Sequence, residues 1–252
     1  MNRVRSVALD VRDLDRVARF YREVVGLEEI DRTSDAAHLG AGGGAFLELR
    51  HRPELLPRDP AAAGLYHTAF LLPTRLDLGR WLVHAGQIGQ RLDGAADHLV
   101  SEAVYLHDPE GNGVEIYADR DPAAWTWSDS QVRMANDRLD FFSLHALADG
   151  SWAGAPPGTI IGHVHLQVGD VAEAERFYTS TLGLDVTRER HGAVFLSWDR
   201  YHHHLAANIW HSAGAGPRDP ARAGLAAVKL RTTGKTGSVR DPWGTQLDLA
   251  AA

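Results

Sequence analysis

The 252-residue chain contains no cysteine. Disulfides, thiolate metal sites and a cysteine nucleophile are therefore excluded, and any metal must be held by nitrogen and oxygen donors. No stretch is apolar for long enough to read as a membrane span. Met1–Arg5 runs straight into a strand pattern without an apolar leader, so a cytoplasmic location is expected. Basic runs are also missing, and the net charge of −7 sets nucleic acid aside as a partner. What the chain does hold is histidine, 14 residues of it, which is ample material for metal binding and acid–base work. Its 44% hydrophobic and 23% charged residues fit a globular protein long enough for one large or two modest domains.

One stretch organises the rest: Asp108-Pro-Glu-Gly-Asn-Gly-Val-Glu-Ile-Tyr117. Pro109 presets a turn and Gly111 and Gly113 tolerate positive φ. In the short strand that follows, Val114 and Ile116 share one face while Glu115 and Tyr117 share the other. Glu115 reads either as a solvated residue on the wet face of a sheet or as a metal carboxylate. The choice depends on what faces it.

Upstream, Val4–Val11 alternates as a strand, and Asp13 is placed to N-cap a helix with Leu14, Val17, Ala18, Tyr21 and Val25 on one face. Gly26 suits its C-terminal end. Leu27–Thr33, Ala36–Leu39 and Ala45–His51 read as strands, which makes a βαβββ unit. A second unit has a strand at Leu65–Leu72 and a helix capped by Thr74. Strands at Gln90–Leu92, Leu99–His107 and Gly113–Ala118 complete it. Residues 121–157 read as a linker with a helix at Asp137–Ala148.

The pattern then restarts. Val11-Arg-Asp13, Arg19-Phe-Tyr21 and Gly26-Leu27 return 157 residues later as Val168-Gly-Asp170, Arg176-Phe-Tyr178 and Gly183-Leu184. Arg58-Asp-Pro-Ala61 returns 160 residues later as Arg218-Asp-Pro-Ala221, and Asp108-Pro-x-Gly111 returns 133 later as Asp241-Pro-x-Gly244. The fall in offset from 160 to 133 means that 27 residues, a helix and its flanks, are missing from the fourth unit. The expected fold is α+β: four βαβββ units, the fourth without its helix, in two curved and mainly antiparallel sheets. In chain order this gives a first domain at 1–120, the linker, and a second domain at 158–252.

Four such units, with Gly64-Leu-Tyr-His-Thr-Ala-Phe-Leu-Leu-Pro73, Asp97-His-Leu-Val-Ser101 through Glu115, Gly162-His-Val-His-Leu-Gln-Val168 and Arg200-Tyr-His-His-His-Leu205, resemble the vicinal oxygen chelate superfamily of glyoxalases, bleomycin-resistance proteins and extradiol dioxygenases. The likeness is greatest to two-domain catechol 2,3-dioxygenases. It implies metal ligands on the first and last strand of each unit. First-strand positions here are Ser6, His67, His163 and Ala227; last-strand positions are Glu48, Glu115, Asn208 and Asp248. The extradiol members use two histidines and one glutamate, a set suited to non-haem Fe(II), with Mn(II), Zn(II) or Ni(II) as alternatives. Neither half of this chain holds two first-strand histidines. His67, Glu115 and His163 together supply the set, so unit two is expected to pair with unit three and unit one with unit four. His165, two residues along the same face, is the rival ligand.

The resemblance also assigns acid–base catalysis to His203, although alternation in a regular strand would favour His204 and require a bulge before Asn208. Tyr105 matches a tyrosine that hydrogen-bonds near bound substrate, and equally fits a core aromatic. Asp97 and His98 are placed either to orient a ligand or to close a turn. One further histidine of the pattern is missing, its position falling near Gly94. Together these imply ring cleavage of a small catechol-type aromatic with O2, in a protein that can form a homo-oligomer. A glyoxalase-like isomerase or lyase would need a carboxylate as fourth ligand, where Asn208 stands. A metal-free binding protein would not need all three of His67, Glu115 and His163.

Overall fold

The computed structural model of the chain describes residues 2–150 and 152–251. Unit one comprises β1 (Arg3–Val11), α1 (Leu14–Phe20), β2 (Glu28–Arg32), β3 (Ala36–Ala41) and β4 (Gly44–His51). Unit two comprises β5 (Gly64–Leu71), α2 (Arg75–Gln87), β6 (Gly94–Asp97), β7 (Ser101–His107) and β8 (Gly113–Asp119). The linker carries β9 (Trp127–Ser128), β10 (Gln131–Val132) and α3 (Phe141–Leu147). Unit three comprises β11 (Ile160–Gln167), α4 (Val171–Phe177), β12 (Asp185–Arg190), β13 (Ala193–Ser197) and β14 (Leu205–Asn208), and unit four β15 (Gly224–Thr232), β16 (Gly237–Arg240) and β17 (Gln246–Ala251). Among the described residues no helix lies between Gly224 and Asp241.

Local chemistry sets the helix starts. Asp13, Thr74 and Asp170 each accept the N–H three residues on, which satisfies a donor that the first helical turn leaves free. Three expected boundaries move. The linker helix begins at Phe141 rather than Asp137, because Asp140 caps it through Ser143 N–H and Asp137 is bridged to Asp97. Gln90–Leu92 is irregular, since Gln90 N–H is bound to the Ala85 carbonyl at the end of α2. The strand after it starts at Gly94. β7 starts at Ser101 because Leu99 turns with φ 68°, its N–H held by Asp97.

The strands form two large sheets of mixed orientation. One runs β16-β17-β15-β1-β4-β3-β2 and joins units four and one; the other runs β12-β13-β14-β11-β5-β8-β7-β6 and joins units three and two. In every unit the first and last strands lie side by side and parallel, and the two units of a sheet meet through antiparallel first strands. The middle of the second sheet is therefore β8-β5-β11-β14. The expected exchange of partners is present, and each sheet draws on strands from both halves of the chain. One continuous apolar cluster, from Val4 to Leu249, includes side chains of all four units. A separate cluster packs linker residues Trp125, Val132 and Met134 on Phe195 and Ala206 of unit three, so the linker walls one end of the second sheet.

Candidate metal centre

The strand order brings the donors together. His67 sits on β5 opposite Gly113 of β8, which places Glu115 two residues along the same face of the adjacent strand. From the other side, β11 sets His165 directly opposite His67 and His163 one step further, opposite Ala69, after a bulge between Ile161 and His163. His67 Nε2 lies 2.9 Å and His163 Nε2 3.1 Å from the same oxygen, Glu115 Oε2. All three residues are buried, with ligand atoms within 4.8 Å of one another. A glycine on each side makes room. A Cβ on Gly162 would lie 1.8 Å from the Tyr117 hydroxyl, and one on Gly113 would lie 1.9 Å from the Tyr66 carbonyl oxygen.

These residues fit a divalent cation. Burial holds His163 neutral, its pKa lowered to about 4. Burial would raise the pKa of Glu115, but His163 and then His67 outweigh it and hold the carboxyl well below the usual carboxylate range. The set is thus two imidazoles, that of His163 held neutral, and a carboxylate, the donor chemistry of a first-row metal site. Among the described residues His67 Nε2 has no hydrogen bond of acceptable geometry despite its closeness to Glu115, and an orphaned nitrogen crowding a carboxylate is what a cation between them would resolve. No further hydrogen bond orients His163 among the described residues. Its Nδ1 has no partner there, and the ring is held by packing between Tyr117 and His203, at centroid distances of 4.9 and 4.1 Å.

The corresponding concavity of the first sheet provides a contrast. Ser6 and Ala227 replace the histidines. Glu48 lies 2.7 Å from the Arg50 guanidinium and 3.5 Å from the Lys229 ammonium, so the protein supplies its own counter-ions there.

The centre opens into a cavity of about 320 Å³. Tyr105, His98, His165 and His203 line it. The Ala135 carbonyl can only accept, so His98 Nδ1 donates to it at 2.8 Å; His98 Nε2 then accepts from the Tyr105 hydroxyl at 2.6 Å. Burial, with Glu115 nearby, pushes the Tyr105 hydroxyl well above its ordinary value of 10, so it stays protonated and its free lone pairs face the cavity. His165 lies outside the three-donor cluster, with its buried Nε2 unpartnered among the described residues.

Several expected positions differ. His202–His204 precedes β14 in an irregular turn led by Asp199 and Arg200, both in left-handed conformation at φ 58° and 57°. Strand alternation therefore does not apply, and His203 reaches the cavity without a bulge in β14. His204 does not line the cavity; its Nδ1 accepts from Trp198 N–H. Asp97 pairs with Arg120 at 2.6 Å and closes the Leu99 turn, touching no ligand. Asn208 is not the fourth ligand position. Glu115 lies opposite the residue two after His67, and the residue two after His163 lies opposite Ala206. Asn208 instead sits opposite Gln167 and caps Trp210 N–H. Sequence reasoning missed Ala206, and it missed Asp119, Arg190, Phe195 and Trp210 as neighbours of the site. None of these lies in a local motif, and only the register brings them in.

Fold and site together define a paired-βαβββ protein with a three-donor candidate metal centre on the sheet shared by its middle units. Comparison with known proteins agrees. The profile of the glyoxalase/bleomycin resistance protein/dioxygenase superfamily matches residues 3–116 and 160–228, and the chain belongs to that superfamily. It is 39% identical over 224 residues to a catechol-2,3-dioxygenase of Bacillus subtilis, covering 86% of this chain and 78% of the relative. Among solved structures, glyoxalase I of Zea mays matches with TM-score 0.58 and 16% identity over 99% of this chain and 92% of its own. The cppA protein of Streptococcus pneumoniae matches with TM-score 0.56 and 12% identity over 99% of each chain. At these identities the structural likenesses speak for the fold alone.

Proposed function

We propose that the chain is an extradiol dioxygenase that binds Fe(II) through His67, Glu115 and His163 and opens the ring of a small catechol-type aromatic with O2. The observation that carries this reading is the convergence of two imidazoles and one carboxylate beside a cavity, with alanine at the fourth ligand position. The likeness to a catechol-2,3-dioxygenase supports the substrate class. Bound Fe(II) would supply Lewis acidity and a template for both reactants. A facial set of three protein donors leaves room for them, whereas a site with a fourth carboxylate would not.

The remaining roles belong to the chain. Burial holds His203 well below its ordinary pKa, so it is a neutral base at the cavity wall, able to take a phenolic proton and return it later. Tyr105, fixed as a donor to His98, offers its oxygen as acceptor to the other catechol hydroxyl. Phe195 and Trp210 supply apolar walls. Anaerobically Fe(II)-loaded protein, offered a panel of catechols and then air, is expected to take up oxygen and form yellow ring-opened product. No oxygen uptake across the panel contradicts the assignment.

A further inference from the structure

Behind His203 lies a partly buried chain of polar side chains that neither the metal centre nor the cavity requires. Asp119, the last residue of β8, has its Oδ1 3.0 Å from His202 Nε2 and accepts the Tyr201 hydroxyl on Oδ2 at 2.9 Å. Tyr117 completes the set, 2.9 Å from the Tyr201 oxygen, to which it must donate because the Tyr201 proton is already directed at Asp119. His202 Nδ1 and His203 Nδ1 are 2.7 Å apart. Both rings are buried, His202 completely, with Trp125 and Tyr201 packed against it at centroid distances of 5.2 and 4.0 Å.

The direction of each hydrogen bond follows in order. A carboxylate oxygen can only accept, so His202 Nε2 carries the hydrogen that it gives to Asp119. With a single hydrogen on His202, placed on Nε2, its Nδ1 is bare, and the short Nδ1–Nδ1 contact requires His203 to donate. His203 Nδ1 therefore carries the hydrogen, and His203 Nε2 is the bare atom. Among the described residues Nε2 of His203 has no hydrogen-bond partner, and its ring lines the cavity. We propose that Asp119 and His202 are positioning residues that lock His203 into the tautomer whose Nε2 lone pair is available to a hydroxyl in the cavity. The logic is that of a carboxylate orienting a catalytic imidazole, extended by one ring. The usefulness of that lone pair rests on the acid–base role assigned to His203 above.

The test reads the tautomers directly and needs no turnover. In metal-free protein labelled with 15N-histidine, two-bond 15N–1H correlation spectra show which ring nitrogen bears hydrogen. His203 is expected with Nδ1–H and bare Nε2, and His202 with Nε2–H and bare Nδ1. In His202→Phe, His203 loses its acceptor and is expected to populate the Nε2–H tautomer. Metal content should stay unchanged while kcat on catechol falls about 10–100-fold with little change in KM. Nε2–H on His203 in the wild type, or an unaltered His203 tautomer in His202→Phe, overturns the proposal. Should that variant not fold, the wild-type spectrum alone decides. Correct tautomers without oxygen uptake would refute the dioxygenase reading and leave the relay standing; oxygen uptake with Nε2–H on His203 would do the reverse.

Discussion

Glu115 is the residue on which the site turns, because one of its oxygens is approached by imidazoles from two different units. Glu115→Gln keeps the shape and removes the charge; it is expected to lose metal, measured as iron retained after anaerobic loading and desalting. His203→Ala is expected to keep the iron and lose turnover by about 10²–10⁴-fold, and loss of iron in that variant would make His203 a ligand. His204 makes a separate prediction. Burial, then His202 and His163, lowers its pKa to about 3. Against an unfolded value of about 6.5, the unfolded chain binds a proton that the folded chain refuses, so stability falls as pH drops from about 6.5 toward 3. For this one group the loss at pH 4.5 is about 2–3 kcal/mol. Urea unfolding of wild type and His204→Gln at pH 7 and 4.5 should show the variant losing less on acidification; equal losses contradict the assignment. His67, Glu115 and His163 were legible as ligand candidates because their residue types are distinctive and the repeat marks their positions. Asp119 has no such signature.

At the scale of elements, the centre exists because each unit closes with its last strand beside its first. That arrangement puts a histidine and a carboxylate on neighbouring strands at fixed register. The unit boundaries and helix caps were readable from Asp13, Thr74, Gly26 and the repeats, since they depend on a few consecutive residues. Register was not. Carrying Glu48 forward by a constant 160 residues lands on Asn208, whereas the ladder gives Ala206, because the offset is only 158 at the last strand and reaches 160 in the connection that follows it. The His202–His204 run also escaped the alternation rule, since two left-handed residues place it outside any strand. The close approach at Gly162 can be tested. Gly162→Ala drives a methyl into the Tyr117 hydroxyl and is expected to cost about 1–3 kcal/mol. Tyr117→Phe in the same chain should recover part of that loss. An alanine variant as stable as wild type in chemical denaturation would show that the approach is not tight.

For the whole molecule, the repeated motifs turn out to clasp units rather than catalyse. Tyr21 of the first Arg-Phe-Tyr run hydrogen-bonds Asp108 of the Asp-Pro turn in unit two, and Tyr178 of the second run bonds Asp241 of the matching turn in unit four. The motifs most visible in the sequence thus join consecutive units across the two sheets, while the functional residues lie where the copies diverge. The exchange of partners was readable only because the histidines were too few in either half. The central claim is that one centre is assembled from units two and three. Its most direct test is anaerobic Fe(II) titration of the intact wild-type chain beside His163→Ala. The account predicts one Fe(II) per wild-type chain and loss of stoichiometric binding in the variant, although 96 residues separate positions 67 and 163. Wild-type protein that binds no Fe(II), or a His163→Ala variant that binds it as tightly as wild type, would contradict the composite centre.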